Sequence, residues 1–238
     1  MTVIQVLHRG KSIAQPDILL VQRGGRPVVM KDYSRRPALV RLLFGRPILR
    51  REARVLSLLD GIVGIPRFLG WQDKDRLFIE CVEGRGRLRC HRETTPDAYP
   101  APEFFTRLKT LLAEIHVRGL AHGDVHRSNI LRGPDDVPYL IDFASAVVRH
   151  GRLGFVRRPL FNMVALVDRT TLLKLQRSYY PETLTAAENA LLDNPPWYLS
   201  LGRFMRKRLY RKIIKQRTWE RRLQRLTRTR TCPADTPK

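Results

Sequence analysis

The run His122-Gly123-Asp124-Val125-His126-Arg127-Ser128-Asn129 is followed, after a short apolar stretch, by Ile141-Asp142-Phe143. Asn129 lies five residues after Asp124, and Asp142 eighteen after it. Two carboxylates and an amide at these offsets suit phosphoryl transfer from a nucleotide. That chemistry needs a carboxylate to orient the attacking hydroxyl and oxygen ligands for Mg²⁺, which offsets charge on the phosphates. The apolar residues 139–141 fit a buried strand that delivers Asp142 to a cleft. The competing reading is an Asx-turn with unrelated carboxylates.

This pattern resembles the catalytic and metal-binding loops of the protein-kinase-like superfamily, including the Asp-to-Asn offset of H-R-D-x-x-x-x-N. Gly123, where protein kinases have Arg, is similar to aminoglycoside phosphotransferases, RIO-type kinases and bacterial lipopolysaccharide kinases. With the Arg-rich stretch between Lys31 and Glu52 and the basic tail, the chain looks most like bacterial lipopolysaccharide kinases and RIO-like small kinases. The resemblance implies an α+β, bilobal kinase-like fold with a small β-rich N-lobe and a helical C-lobe. It implies ATP and Mg²⁺, with Asp124 as catalytic base and Asn129 and Asp142 on the metal. By position, Glu80-Cys81-Val82 would be the hinge whose backbone meets adenine. His126 sits where protein kinases carry a phosphate-contacting Lys; it either touches the γ-phosphate or braces its loop.

A second observation comes from the N-terminal half. At about 100° per residue, Glu52 falls within the apolar stripe Ile48, Leu49, Val55, Leu56 and Leu59, while Arg50, Arg54 and Ser57 face the other way. A carboxylate aimed into a core is costly unless it meets a cation. Lys31 ends the strand Pro27-Val28-Val29-Met30-Lys31 and is the obvious candidate. That strand resembles V-A-I-K of kinases, whose Lys pairs with a helix Glu and contacts the α/β-phosphates. The alternative is a solvent pair between Glu52 and a neighbouring Arg.

Other features depart from the pattern. The loop from Gly10 to Asp17 has no G-x-G-x-x-G, Lys11 and Ser12 being its only substitute donors, and Ala144 replaces the glycine of D-F-G. No A-P-E segment follows. These departures argue against a phosphorylation-switched protein kinase and keep open an ATP-binding pseudokinase.

The elements that must position these residues are legible as well. Short β-rich runs at 3–7, 18–22 and 27–31 precede a helical stretch over 37–59, interrupted at Gly45-Arg46-Pro47, with Gly61 as its C-cap. A hairpin over 67–82 turns at Asp73-Lys74-Asp75, its second strand running 77–82. Residues 84–101 read as a linker. A helix spans 103–117, with Phe104, Leu108, Leu111, Leu112 and Ile115 on one stripe and Gly119 closing it. Two short strands near 130–131 and 139–143 follow, then helices over 160–215, with Thr185 and Glu188 as a capping box. The expected divisions are 1–84 for the N-lobe, 85–200 for the C-lobe and 201–238 for a basic amphipathic tail.

The formal net charge is +23, and residues 201–238 alone hold fourteen Lys and Arg against two acids. Leu201, Met205, Leu209 and Ile213 recur inside that run. A second cluster, Arg35, Arg36, Arg41, Arg46, Arg50, Arg51 and Arg54, surrounds Leu39, Val40, Leu42, Leu43 and Phe44. Such surfaces suit an anionic membrane, each basic residue contributing roughly 1 kcal/mol; RNA is the rival partner. Cys81, Cys90 and Cys232 are odd in number and lack ligand spacing, which predicts reduced thiols. No secretory leader and no spanning apolar run are evident. The expectation is a cytoplasmic enzyme, peripheral on the inner face of the membrane, that phosphorylates a hydroxyl on a lipopolysaccharide-core or related glycolipid sugar. The alternatives are a serine/threonine or RIO-like kinase/ATPase acting on protein or ribonucleoprotein, and the pseudokinase.

Overall fold

Alternation along three N-terminal strands decides what faces the site. β1 (Thr2–His8), β2 (Asp17–Arg23) and β3 (Arg26–Asp32) form an antiparallel meander, and β4 (Phe68–Asp73) and β5 (Arg76–Glu80) complete a five-stranded sheet in the order β1-β2-β3-β5-β4. Successive side chains point to opposite faces. Val21, Val28, Met30 and Phe78 therefore pack together on one face, while Ile18, Leu20, Val29, Lys31 and Ile79 line a cavity on the other. Gly24 and Gly25 both take positive φ and close the two-residue β2–β3 turn, where Arg23 pairs with Arg26.

This computed structural model describes residues 2–10, 12, 15–84, 86–88, 99–150 and 154–196. Residues 1–192 form one compact unit and 193–238 a second, of which only 193–196 are described. The expected amphipathic helix over 201–238 lies outside the described residues, as do Lys11, Cys90 and Cys232. Cys81 is a free thiol.

The interruption expected at Gly45-Arg46-Pro47 does not occur. α1 (Ala38–Val40), a π-helical turn (Arg41–Gly45) and α2 (Arg46–Leu58) follow without a break. Pro47 lacks an N–H for the helix ladder, and the Arg46 N–H donates five residues back to Arg41 O. The widened turn absorbs the proline. Gly45 lies against the Tyr33 ring, where a Cβ would come within 2.9 Å. The C-cap of α2 is Leu59 and not Gly61, which takes positive φ two residues further on.

The second strand of the hairpin ends at Glu80, two residues before its expected end, so residues 81–83 leave the sheet. The expected linker contains β6 (Gly86–Arg87), which pairs with a strand beyond α3 (Pro102–Val117). The α3 stripe is buried as expected, with Phe105 added to it. β7 (Leu120–Ala121) leads to the candidate loop. β8 (Ile130–Arg132) and β9 (Pro138–Leu140) form a hairpin that stops short of Phe143, which instead begins a 3-10 turn, Phe143–Ser145. β10 (Val147–Val148) pairs with β7.

α4 (Gly154–Tyr179) starts earlier than expected, and α5 (Ala186–Asp193) opens on the capping box. Thr185 N–H donates to Glu188 Oε2 at 3.0 Å, and Glu188 N–H donates to Thr185 Oγ1 at 3.2 Å. One continuous core joins α2, the sheet, α3, β8, β9 and α4 through Leu49, Leu56, Leu77, Leu108, Ile130 and Leu172. The architecture is mixed α and β, with the larger sheet antiparallel. Among the described residues no helix is long and apolar enough to cross a membrane.

Candidate functional site

Lys31, Glu52 and Asp142 come from a strand, a helix and a loop, and meet at one ammonium. Lys31 Nζ donates to Glu52 Oε1 at 2.6 Å and to Asp142 Oδ1 at 2.9 Å. Glu52 is 1% exposed. It is therefore the buried pair, and not the solvent pair with an Arg, that holds this carboxylate. Burial disfavours the Lys31 ammonium, but Glu52 and Asp142 outweigh it and hold the pKa above its ordinary value. Burial pushes the Glu52 carboxyl up, with Lys31 opposing. The 2.6 Å contact and the raised lysine mark an ionised pair. Lys31 holds the Asp142 carboxyl below its usual range. Asp142, two residues past β9, has φ 69° and ψ 70°, in the left-handed region, a strained setting for a non-glycine residue.

The loop from 122 to 129 is pinned from beneath. Asp168, 1% exposed on α4, accepts the His122 N–H at 2.7 Å and the Gly123 N–H at 3.0 Å. Sequence reasoning missed Asp168, although a signal was there: it is the sole acid in a 26-residue basic and apolar helix. The His122 ring is fully buried. Its Nδ1 accepts the Asp124 N–H at 3.2 Å, so Nε2 carries the proton donated to Ile141 O at 3.1 Å. His122 thus ties the Asp124 loop to the Asp142 loop, and burial lowers its pKa.

Gly123 has φ +78°, and a Cβ there would meet Ser145 O at 2.6 Å. This explains why no arginine stands at that position.

Asn129 Nδ2 donates to Asp124 O at 3.0 Å and to Asp124 Oδ2 at 3.2 Å. These two bonds fix the amide orientation and leave the Oδ1 oxygen as the side chain's acceptor. The Ile141 N–H donates to Asn129 O at 3.0 Å, which sets Asn129 beside Asp142. Among the described residues no three His, Cys, Asp or Glu side chains converge as a metal cage. One carboxylate and one amide oxygen nevertheless fit Mg²⁺, which retains waters and takes phosphate oxygens.

The cavity against this cluster measures about 380 Å³ and is bounded by Lys31, Glu52, Glu80, Cys81, Val82, Asn129 and Asp142, with apolar Val29, Leu131 and Ile141. Lys31, Glu52, Glu80, Val82, Asn129 and Asp142 are thus brought together. The Glu80 N–H donates to Arg67 O at 2.9 Å, and its side chain accepts the Arg67 N–H at 2.9 Å. The Glu80 N–H is thus already engaged by Arg67.

His126 does not line the cavity. Its Nε2 is 3.1 Å from Ser128 Oγ and 4.0 Å from Asp124 Oδ2. The loop from Gly10 to Asp17, which has a single glycine, is tethered by Arg36, whose Nε donates to Gln15 O at 3.1 Å and whose Nη2 donates to Asp17 Oδ1 at 2.7 Å.

No family profile matches the chain. A curated relative described as a probable SapB synthase of Streptomyces coelicolor (strain ATCC BAA-471 / A3(2) / M145) is 31% identical over 147 residues. The similarity covers 52% of this chain but 16% of that protein, so the chain spans about one sixth of the relative's length.

Proposed function

We propose that the chain is a bilobal, protein-kinase-like phosphotransferase that moves the γ-phosphoryl group of ATP to a hydroxyl. The observation that carries this reading is the meeting of Lys31, Glu52 and Asp142 within 2.9 Å, from positions 21 and 111 residues apart. Lys31, held by Glu52, would take the α- and β-phosphates. Asn129 and Asp142 would hold Mg²⁺, which supplies charge neutralisation at the phosphates. Asp124, half-exposed and oriented by Asn129, would receive the proton of the attacking hydroxyl. The cavity bounded by Val29, Cys81, Val82 and Ile141 would take the base. The acceptor in this reading is a lipopolysaccharide-core or related glycolipid sugar.

An exposed apolar stretch at 39–44 supports a membrane address. Leu39, Leu42, Leu43 and Phe44 are each more than half exposed, an apolar patch flanked by exposed Arg35, Arg50, Arg51 and Arg54. Three arginines of the sequence cluster are committed elsewhere, Arg36 to Asp17 and Arg41 and Arg46 to Asp75.

The test is turnover of Mg·ATP with and without Asp124→Ala. Loss of turnover with retained nucleotide binding supports the enzyme, whereas wild-type binding with no turnover on any acceptor favours a pseudokinase. Sedimentation with anionic liposomes against RNA retention at matched salt decides the partner of the basic surface.

A further inference from the structure

The turn Asp73-Lys74-Asp75 between β4 and β5 joins more than two strands. Asp73 Oδ1 accepts the Asp75 N–H at 2.9 Å, an Asx-type bond that fixes the turn. Asp75 is 7% exposed, and its three oxygens are all engaged. Its backbone O accepts the Tyr33 N–H at 3.0 Å. Its Oδ1 accepts Arg46 Nε and its Oδ2 accepts Arg41 Nη1, each at 2.8 Å. A buried carboxylate needs such cations to offset its lost hydration, and the bond from Arg46, with Arg41 behind it, holds the Asp75 carboxyl below its usual range.

The places these partners occupy give the contact its meaning. Tyr33 follows β3 directly, two residues beyond Lys31. Arg41 and Arg46 bracket the π-helical turn, across which the Arg46 N–H donates to Arg41 O. Arg46 also begins α2, the helix that carries Glu52. One residue therefore grips the end of the strand that bears Lys31 and the start of the helix that bears Glu52. A π turn departs from the α-helical ladder, so the direction in which α2 leaves it is not set by helix geometry alone. Neither Asp75 nor its two arginines line the cavity.

We infer that Asp75 is a positioning residue that sets the depth at which Glu52 meets Lys31. From Arg46 to Glu52 the helix rises roughly 9 Å, so a tilt of about 10° at Arg46 carries Glu52 by roughly 1.5 Å. A displacement of that size breaks the 2.6 Å contact between Glu52 and Lys31. The consequence for ligands rests on the kinase reading, in which Lys31 takes the α- and β-phosphates. The geometric claim does not rest on it.

The test compares the full-length wild type with Asp75→Ala and the milder Asp75→Asn. Glu188→Gln, which breaks the remote pair with Lys109, controls for lost stability alone. The first readout is the proton–nitrogen resonance of the Lys31 ammonium in the free protein, assigned by its absence from Lys31→Arg. Burial and two carboxylate partners protect that ammonium from exchange with water. The resonance should persist in Glu188→Gln, be shifted or lost in Asp75→Ala, and be shifted less in Asp75→Asn. The second readout is calorimetric binding of adenosine and of Mg²⁺ with adenylyl imidodiphosphate. Asp75→Ala should weaken the triphosphate analogue by about tenfold and leave adenosine within about twofold, because Lys31 would meet only phosphates.

An unchanged Lys31 resonance in folded Asp75→Ala, or equal weakening of adenosine and the analogue, overturns the inference. Absence of the resonance from the wild type contradicts the buried pair and overturns the inference with it. Should Asp75→Ala not fold, Asp75→Asn carries the same comparison. A wild type that binds neither ligand sinks the kinase reading, and the Lys31 resonance then decides the positioning role by itself.

Discussion

Lys31 is the residue on which the site turns, because its ammonium answers a fully buried carboxylate and a half-exposed one together. Lys31→Met would strand Glu52 without a cation, and breaking such a pair costs about 3–5 kcal/mol. Chemical denaturation should show a loss of that order, with Lys31→Met/Glu52→Gln recovering part of it. The folded-state pKa of Lys31 is raised, so its contribution is complete below the ordinary lysine value of about 10.4 and disappears as pH climbs through the folded value. His122 works in the opposite sense. Its pKa is lowered by burial, so the unfolded chain binds the proton more readily, and stability falls as pH drops below about 6.5. Denaturation midpoints measured between pH 7 and pH 5 should fall in the wild type and fall less steeply in His122→Gln.

At the scale of elements, α4 and the Arg36-tethered loop act on the site without lining its cavity. Asp168→Ala would orphan two N–H groups of the 122–129 loop, a loss on the order of 2–5 kcal/mol. In whatever fraction stays folded, kcat should fall while the KM for ATP stays near its original value, and Asp168→Asn should restore part of both stability and rate. Arg36→Ala should release the loop at its contacts with Gln15 and Asp17 and, if that loop covers the phosphates as in the kinase reading, raise the KM for ATP without unfolding the chain. Much of this was legible in sequence. A β-rich run placed Lys31 at a strand end, the helical wheel buried Glu52, and Thr185 and Glu188 announced their cap. What escaped was tertiary. No local pattern states that a π-turn will swallow Pro47, because that depends on Gly45 fitting against Tyr33. Nor does local pattern connect Asp168 to a loop 45 residues earlier. The strand expected at 77–82 overran because apolar Cys81 and Val82 read as strand although they border a cavity.

For the whole molecule, the charge of +23 and the exposed apolar patch at 39–44 belong to one argument about location. Leu43→Glu with Phe44→Glu should reduce sedimentation with anionic liposomes and leave the melting temperature unchanged, since both side chains are more than half exposed. Indifference to the substitution would contradict a membrane-docking role for this patch. The proposed phosphoryl transfer depends on a metal-bound triphosphate gathered by Lys31, Asn129 and Asp142. Calorimetric titration of a non-hydrolysable ATP analogue, with and without Mg²⁺, into the wild type and Asp142→Asn addresses it most directly. Mg²⁺ should enhance binding in the wild type, and the enhancement should be lost in the variant. Absence of nucleotide binding, or equal enhancement in both proteins, would contradict it.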